Sequence, residues 1–217
     1  RGKYILMPVG VGTVIIHLGM SGYVRVLKQT TPHSKHDHVD IIFSDGKLLR
    51  YTDTRRFGCI LWTEENPLEH KLLQHLGPEP LSITFSADYL YKVIQNRSAA
   101  IKTLIMNSSI VVGVGNIYAA EALFMSGIHP LKLAKNLSYS QCEHLVATIQ
   151  KVLKAAIHQG GTTISDFMNS EGKPGYFVNE LQVYGQNGKP CVQCKTILCL
   201  ITIGQRSTVY CPRCQKY

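Results

Sequence analysis

The last thirty residues read Gly188-Lys189-Pro190-Cys191-Val192-Gln193-Cys194-Lys195-Thr196-Ile197-Leu198-Cys199-Leu200-Ile201-Thr202-Ile203-Gly204-Gln205-Arg206-Ser207-Thr208-Val209-Tyr210-Cys211-Pro212-Arg213-Cys214-Gln215-Lys216-Tyr217. Four of these cysteines form Cys191-x2-Cys194 and Cys211-x2-Cys214, the spacing of a zinc ribbon or hairpin. Each knuckle aims two sulfurs at one metal, and two knuckles complete a tetrahedron. Ile197 to Ile203 and Thr208 to Tyr210 read as two strands turned at Gly204-Gln205. With four protein ligands and no open position, the one Zn²⁺ ion is expected to be structural. Two disulfides are the alternative, which a reducing compartment disfavours. Cys59, Cys142 and Cys199 lie in apolar patterns and read as packing residues.

The zinc segment is also basic. The whole chain carries 23 Lys and Arg against 14 Asp and Glu, a formal charge of +9, and no acidic residue follows Glu180. Lys189, Lys195, Arg206, Arg213 and Lys216 give the finger five positive charges, of which a Zn²⁺ ion with four thiolates offsets two. A basic face suits a polyanion, because neutralised phosphates release condensed counterions; a merely solubilising surface is the alternative. No run of about 18 apolar residues exists, so no transmembrane helix is expected, and the start Arg1-Gly2-Lys3-Tyr4 resembles neither a signal nor a transit peptide. These features read as cytosolic.

Upstream, apolar and polar residues alternate. Thr13 to Leu18, Val24 to Leu27, Val39 to Phe43, Leu48 to Tyr51 and Cys59 to Trp62 read as strands, with Asp45-Gly46 as a hairpin turn. An antiparallel sandwich over residues 1–77 is the economical reading, followed by a linker at 78–87 that opens on Pro78-Glu79-Pro80. The period then turns helical. Helices are expected over Ala99 to Asn107 and Ile117 to Met125, flanking Val112-Gly113-Val114-Gly115-Asn116, with Asn116 capping the second. Ser138 and Gln141 form a capping box for a longer helix, whose stripe is Cys142, Leu145, Ile149, Val152, Leu153 and Ala156 and whose stop is Gly160-Gly161. The expected organisation is α+β in two domains: residues 1–77, then a helical region 88–184 bearing the finger 185–217.

Six strings occur in order: His17-Leu18-Gly19-Met20-Ser21-Gly22, His36-Asp37-His38-Val39-Asp40, Thr52-Asp53-Thr54-Arg55-Arg56-Phe57-Gly58, Val112 to Ala119, Gly172-Lys173-Pro174-Gly175-Tyr176-Phe177 and the four-cysteine finger. Together they resemble bacterial formamidopyrimidine-DNA glycosylase over essentially the whole chain. The resemblance implies an N-terminal β-sandwich, a helix–two-turn–helix domain with a zinc hairpin, and a monomer acting on double-stranded DNA in the bacterial cytoplasm, at the nucleoid. It implies excision of oxidised purines (8-oxoguanine and formamidopyrimidines) and abasic-site lyase chemistry by β,δ-elimination. It further implies that Met20, Arg55 and Phe57 fill the gap left by a flipped nucleotide, that His36, Arg55, Arg97 and Asn116 hold phosphates, and that Lys3 and Arg206 assist elimination. Gly172, Lys173, Pro174, Gly175 and Tyr176 fall in the loop that closes over the flipped base, where glycines suit a mobile lid.

In that family the nucleophile is an N-terminal proline amine followed by a glutamate. Arg1-Gly2 matches neither, so by the family pattern a segment of about 50 residues, including the first helix and part of the sandwich, is expected to be missing, through a fragmentary sequence or a genuinely short gene product. A catalytically inactive DNA-binding remnant, the related oxidised-pyrimidine glycosylase and a zinc-ribbon transcription factor are the competing readings.

Overall fold

Short segments rich in β-branched, aromatic and other apolar residues within the first 63 residues form six strands: β1 (Tyr4–Val9), β2 (Gly12–His17), β3 (Tyr23–Lys28), β4 (Asp37–Ile42), β5 (Lys47–Thr52) and β6 (Cys59–Thr63). They form two antiparallel three-stranded sheets, ordered β1-β2-β6 and β3-β5-β4. This computed structural model describes residues 1–162 and 175–217. Ile15, Ile16, Leu48 and Tyr51 are the buried apolar residues of these strands. The Asp45-Gly46 turn joins β4 to β5 as expected, with Gly46 at φ +81°.

Strand β1 was not anticipated, because Pro8 and Gly10 interrupt its apolar run. Both are compatible with its place. β1 is an edge strand, where proline's missing N–H is tolerated, and Gly10 at φ +57° opens the two-residue turn into β2. Arg50, on β5, is almost wholly buried. Its guanidinium makes a bidentate pair with Asp40 (2.8 and 2.8 Å) and donates to the carbonyls of Thr31 and Pro32 (3.1 and 2.8 Å), fixing the loop that leads to His36.

Four α-helices follow among the described residues: α1 (Ala87–Ile94), α2 (Ile101–Ile105), α3 (Asn116–Met125) and α4 (Tyr139–His158). α1 was missed by the sequence reading, although Ser86 caps it by accepting from the Tyr89 amide (3.1 Å). α2 is shorter than expected. The cap of α3 is Gly115, with Asn116 as the first helical residue and no side-chain cap, so the expected capping role of Asn116 is corrected. α4 follows its sequence closely. Ser138 and Gln141 exchange reciprocal bonds (3.1 and 3.2 Å), and all six stripe residues are buried. At its end Gly161 N–H donates to Ala156 O (2.8 Å) and Gly160 N–H to Ile157 O (3.0 Å), with both glycines at positive φ, a Schellman stop.

The chain closes with β7 (Cys199–Ile203) and β8 (Arg206–Tyr210), joined through Gly204 and Gln205 at φ +53° and +61°, a type I′ turn. Two compact units result. Lys3–Gln74 clusters with the described residues of Ala156–Asn179, and His75–Ala155 clusters with Glu180–Tyr217. Among the described residues no helix is long and apolar enough to cross a membrane.

Candidate nucleic-acid interface

The four knuckle sulfurs of Cys191, Cys194, Cys211 and Cys214 all lie within 4.8 Å of one another, with Cys194–Cys211 at 3.4 Å and Cys191–Cys214 at 3.9 Å. A tetrahedron of Zn–S bonds of about 2.3 Å has edges of roughly 3.8 Å, so the cradle fits zinc. Cys191 and Cys211 are buried in a core with Ala120, Phe124, Val183, Leu198 and Val209, which joins the metal site to α3. Gln215 clasps the second knuckle: its Oε1 accepts from Cys211 N–H (2.8 Å) and its Nε2 donates to Ile128 O (2.9 Å).

The metal thereby fixes a hairpin whose first tip residue on β8 is Arg206, exposed beside the Gly204-Gln205 turn. A cleft of about 220 Å³ lies there, lined by Lys102, Thr103, Met106, Asn107, Ile203, Gly204 and Arg206. Lys102 is a site residue that sequence reasoning missed. Its ammonium, almost wholly buried, donates to Asn116 Oδ1 (2.6 Å) and Thr208 Oγ1 (2.6 Å). Asn116 Nδ2 in turn donates to Ser207 O (3.2 Å), so helix start and hairpin are tied through one lysine. Burial, and then the charge of Arg206, pull the Lys102 amine down to about 8. The structure thus brings Asn116 and Arg206 together. Arg97 sits exposed after α1, where its guanidinium donates to Val93 O (3.4 Å).

Glu121 was also missed. This buried residue of α3 accepts from the amides of Gln182 (2.9 Å), Val183 (3.0 Å) and Tyr184 (2.8 Å), anchoring the segment that enters the finger. Burial raises its carboxyl above the usual range despite those three amides.

In the N-terminal unit Met20 and Phe57 are 72% and 63% exposed, although both are large and apolar, and Arg55 is exposed between them in sequence order. Two loops carry them, and the backbones touch: a Cβ on Gly19, itself at φ +64°, would come within 2.6 Å of Gly58 N and 2.7 Å of the Phe57 carbonyl carbon. Half-buried His36 belongs to the same neighbourhood, since its carbonyl accepts from Asp53 N–H (3.0 Å). Lys3 is exposed, in the left-handed region at φ +71°. Of the expected base-covering loop, Gly172, Lys173 and Pro174 lie outside the described residues. Tyr176 is exposed and pairs with Thr162, while Gly175 rests so closely on the backbone of Gly160 and Gly161 that no Cβ fits. Close approach of backbone to backbone requires glycine there.

Comparison with known proteins decides the lineage. The chain is 56% identical over 216 residues to a formamidopyrimidine-DNA glycosylase of Saccharophagus degradans, and 54% identical over 217 residues to that of an Escherichia coli O6:H1 strain. Each match covers 100% of this chain and 80% of the relative. The chain belongs to the formamidopyrimidine-DNA glycosylase family.

Family models agree with that assignment: the N-terminal domain matches residues 1–60, the H2TH domain 76–168, and the zinc finger found in FPG and IleRS 188–216. The N-terminal model matches residues 1–60 and does not by itself bear out the expected loss of about 50 residues, while the chain spans 80% of the length of these relatives. Among solved structures, a Lactococcus lactis FPG mutant in complex with Fapy-dG DNA superposes with a TM-score of 0.92 at 33% identity, covering all of this chain and 80% of that one. The Lactococcus lactis Fpg bound to abasic-site DNA gives 0.91, with the same identity and coverage. The α+β fold and the structural zinc expected from the sequence therefore stand, the latter on both the cysteine geometry and the finger match.

Proposed function

We propose that the chain performs base-excision repair on double-stranded DNA, recognising oxidised purines as a bifunctional glycosylase and abasic-site lyase of the bacterial cytoplasm, acting as a monomer. The observation that carries this reading is the pair of exposed apolar side chains, Met20 and Phe57, on two loops locked together beside Arg55. A base inside a duplex is unreachable, so it must leave the stack at a cost of a few kcal/mol. A flexible thioether and a flat ring suit wedging between base steps, and a guanidinium fork suits the orphaned partner base.

Phosphates flanking the lesion are assigned to His36, Arg55, Arg97 and Asn116, and also to Lys3 and Arg206, which are further assigned to assist elimination. Lys102 is added as the residue that orients Asn116 and lends charge to the Arg206 cleft. Tyr176 and Gly175, with Gly172, Lys173 and Pro174, are assigned to the cover over the flipped base. The nucleophile that the family resemblance implies, a proline amine, is assigned to no residue of this chain. An amine with a pKa of about 8 is neutral often enough to attack the sugar C1′. The N-glycosidic bond breaks with the damaged base as leaving group, and opening of the sugar's C1′–O4′ bond leaves a Schiff base that acidifies C2′. Because a Lactococcus lactis Fpg is also known in complex with oxidised-pyrimidine DNA, the lesion range of this chain extends naturally to that class.

Borohydride trapping of the complete gene product on an 8-oxoguanine duplex tests the chemistry. A covalent protein–DNA adduct and a nicked strand are expected. Tight binding with no adduct would leave a DNA-binding protein and overturn the enzymatic assignment.

Lys102 supplies a pH test. Its folded-state value of about 8 lies below the ordinary 10.5, so the unfolded chain holds more protons between those values and stability rises with pH across that window. Its positive charge in the Arg206 cleft fades over the same rise. DNA affinity is expected to fall several-fold more steeply between pH 7 and 9 in the parent than in Lys102→Met, measured by fluorescence anisotropy at fixed salt. Parallel profiles would remove Lys102 from the interface.

A further inference from the structure

We propose that Asp53 is a positioning residue that presets the Met20 and Arg55–Phe57 loops as one rigid tool, so that gap filling is concerted. This deepens the functional reading above and rests on it. Asp53 follows β5 and is 0% exposed. Among the described residues, four uncharged donors converge on its carboxylate. Oδ1 accepts from Ser21 Oγ (2.6 Å) and Arg55 N–H (3.2 Å), while Oδ2 accepts from Tyr51 OH (2.8 Å) and Gly58 N–H (2.9 Å).

Those partners are informative. Ser21 follows Met20, the wedge; Arg55 and Gly58 bracket Arg56 and Phe57. Arg56 lies at φ +57°, a left-handed conformation that a residue with a side chain keeps only when its surroundings impose it. The carboxylate spans that residue by holding the amides on either side of it. Ser21 Oγ also accepts from Arg55 N–H (3.1 Å), closing a three-membered link between the loops. Asp53's own backbone is held as well: its N–H donates to His36 O (3.0 Å), and His38 Nε2 donates to its carbonyl (2.7 Å). One residue therefore connects the wedge, the stacking ring, the guanidinium and the His36 segment. Burial pushes the carboxyl pKa up, but the bonds from Ser21, Gly58, Tyr51 and Arg55 outweigh it and hold it well below the usual carboxylate range.

The chemistry of the donors decides which variant is informative. Hydroxyls of Ser21 and Tyr51 can reverse and accept, whereas backbone amides cannot. Each carboxylate oxygen faces one amide, so in Asp53→Asn either flip sets the carboxamide NH₂ against an N–H. Ser21→Ala leaves both amides paired and removes only the tie to the Met20 loop.

The zinc-loaded chain and both variants are titrated by anisotropy against a duplex carrying a tetrahydrofuran abasic residue and against the intact duplex. 2-Aminopurine opposite the abasic residue reports unstacking. Asp53→Asn is expected to lose about tenfold in preference for the abasic duplex and most of the 2-aminopurine brightening, with intact-duplex affinity falling by a clearly smaller factor, since misplacements near 1 Å carry effects of that size or larger. Ser21→Ala is expected to move in the same direction by a smaller factor, and it decides the matter if Asp53→Asn fails to melt cooperatively. Equal weakening on both duplexes, or an unchanged preference and fluorescence in Ser21→Ala, overturns the positioning role. A parent chain with no preference for the abasic duplex overturns the functional reading itself, which separates the two failures.

Discussion

Replacing Cys211 with alanine, or stripping zinc with a strong chelator, is expected to unfold the β7–β8 hairpin and to weaken binding to an abasic-site duplex by about tenfold to a hundredfold. Structural zinc contributes apparent binding free energies of roughly 10–16 kcal/mol that small metal-held domains convert into folding. The bonds that Lys102, Asn116 and Gln215 make to the finger depend on the hairpin and knuckles being in place. Its two strands are five residues each, and a two-stranded hairpin alone is marginal in water. Buried Cys191 and Cys211 are themselves part of the core shared with Ala120 and Phe124, so metal loss leaves thiols where packing requires a closed cluster. Arg206 then loses its fixed place, and one charge-assisted hydrogen bond to a phosphate has a net value of about 1.5–3 kcal/mol, which is the affinity factor quoted. Metal content by mass spectrometry and anisotropy on the same sample check both halves. Undiminished affinity in the metal-free protein would remove the finger from the interface.

The second large effect is expected at Glu121. Glu121→Ala strands three amides, that of buried Val183 and those of half-buried Gln182 and Tyr184. Each unmet donor costs on the order of 1–3 kcal/mol, so a loss of about 3–5 kcal/mol is expected in urea denaturation even if water fills part of the hole. That is a large fraction of an ordinary domain's stability. Glu121→Gln separates hydrogen bonding from mere volume. Its single oxygen can serve Val183 and Tyr184, which share Oε1, while its NH₂ opposes the Gln182 amide, so roughly 1–2 kcal/mol is expected. Equal losses in the two variants would show that the amides are satisfied elsewhere.

Features encoded over a few residues were legible in the sequence. The knuckles, the Gly204-Gln205 turn, the Ser138–Gln141 box, the α4 stripe and its glycine stop each depend on neighbours within one or two turns of chain. Pro8 concealed β1 because a strand's tolerance of proline depends on whether it lies at a sheet edge, which only the assembled sheet determines. Asn116 was misplaced by one position because Gly115 can adopt the extended cap conformation without a side chain. The residues that hold the site together were the least legible. Lys102 reaches Thr208, Glu121 reaches Val183, and Asp53 reaches Ser21, and these are long-range bonds with no periodic trace. A hint existed in composition: Lys102 stands in Ile101-Lys102-Thr103-Leu104-Ile105 and Glu121 in Ala119-Ala120-Glu121-Ala122-Leu123-Phe124, single charges inside runs that become buried. A charge in such a place must find partners, and those partners proved to be the interface scaffold.

The most direct test of a damaged-DNA grip is a salt-dependent titration of the zinc-loaded chain on an abasic-site duplex against its intact counterpart. Lys3, Arg55, Arg97 and Arg206 are the permanent cations assigned to phosphates, so log affinity is expected to fall with log salt at a slope of about −3 to −4 on both duplexes. The abasic duplex should remain the tighter partner at every salt concentration, because Met20 and Phe57 act through contacts that salt does not screen. Equal affinities for the two duplexes across the series would contradict the account.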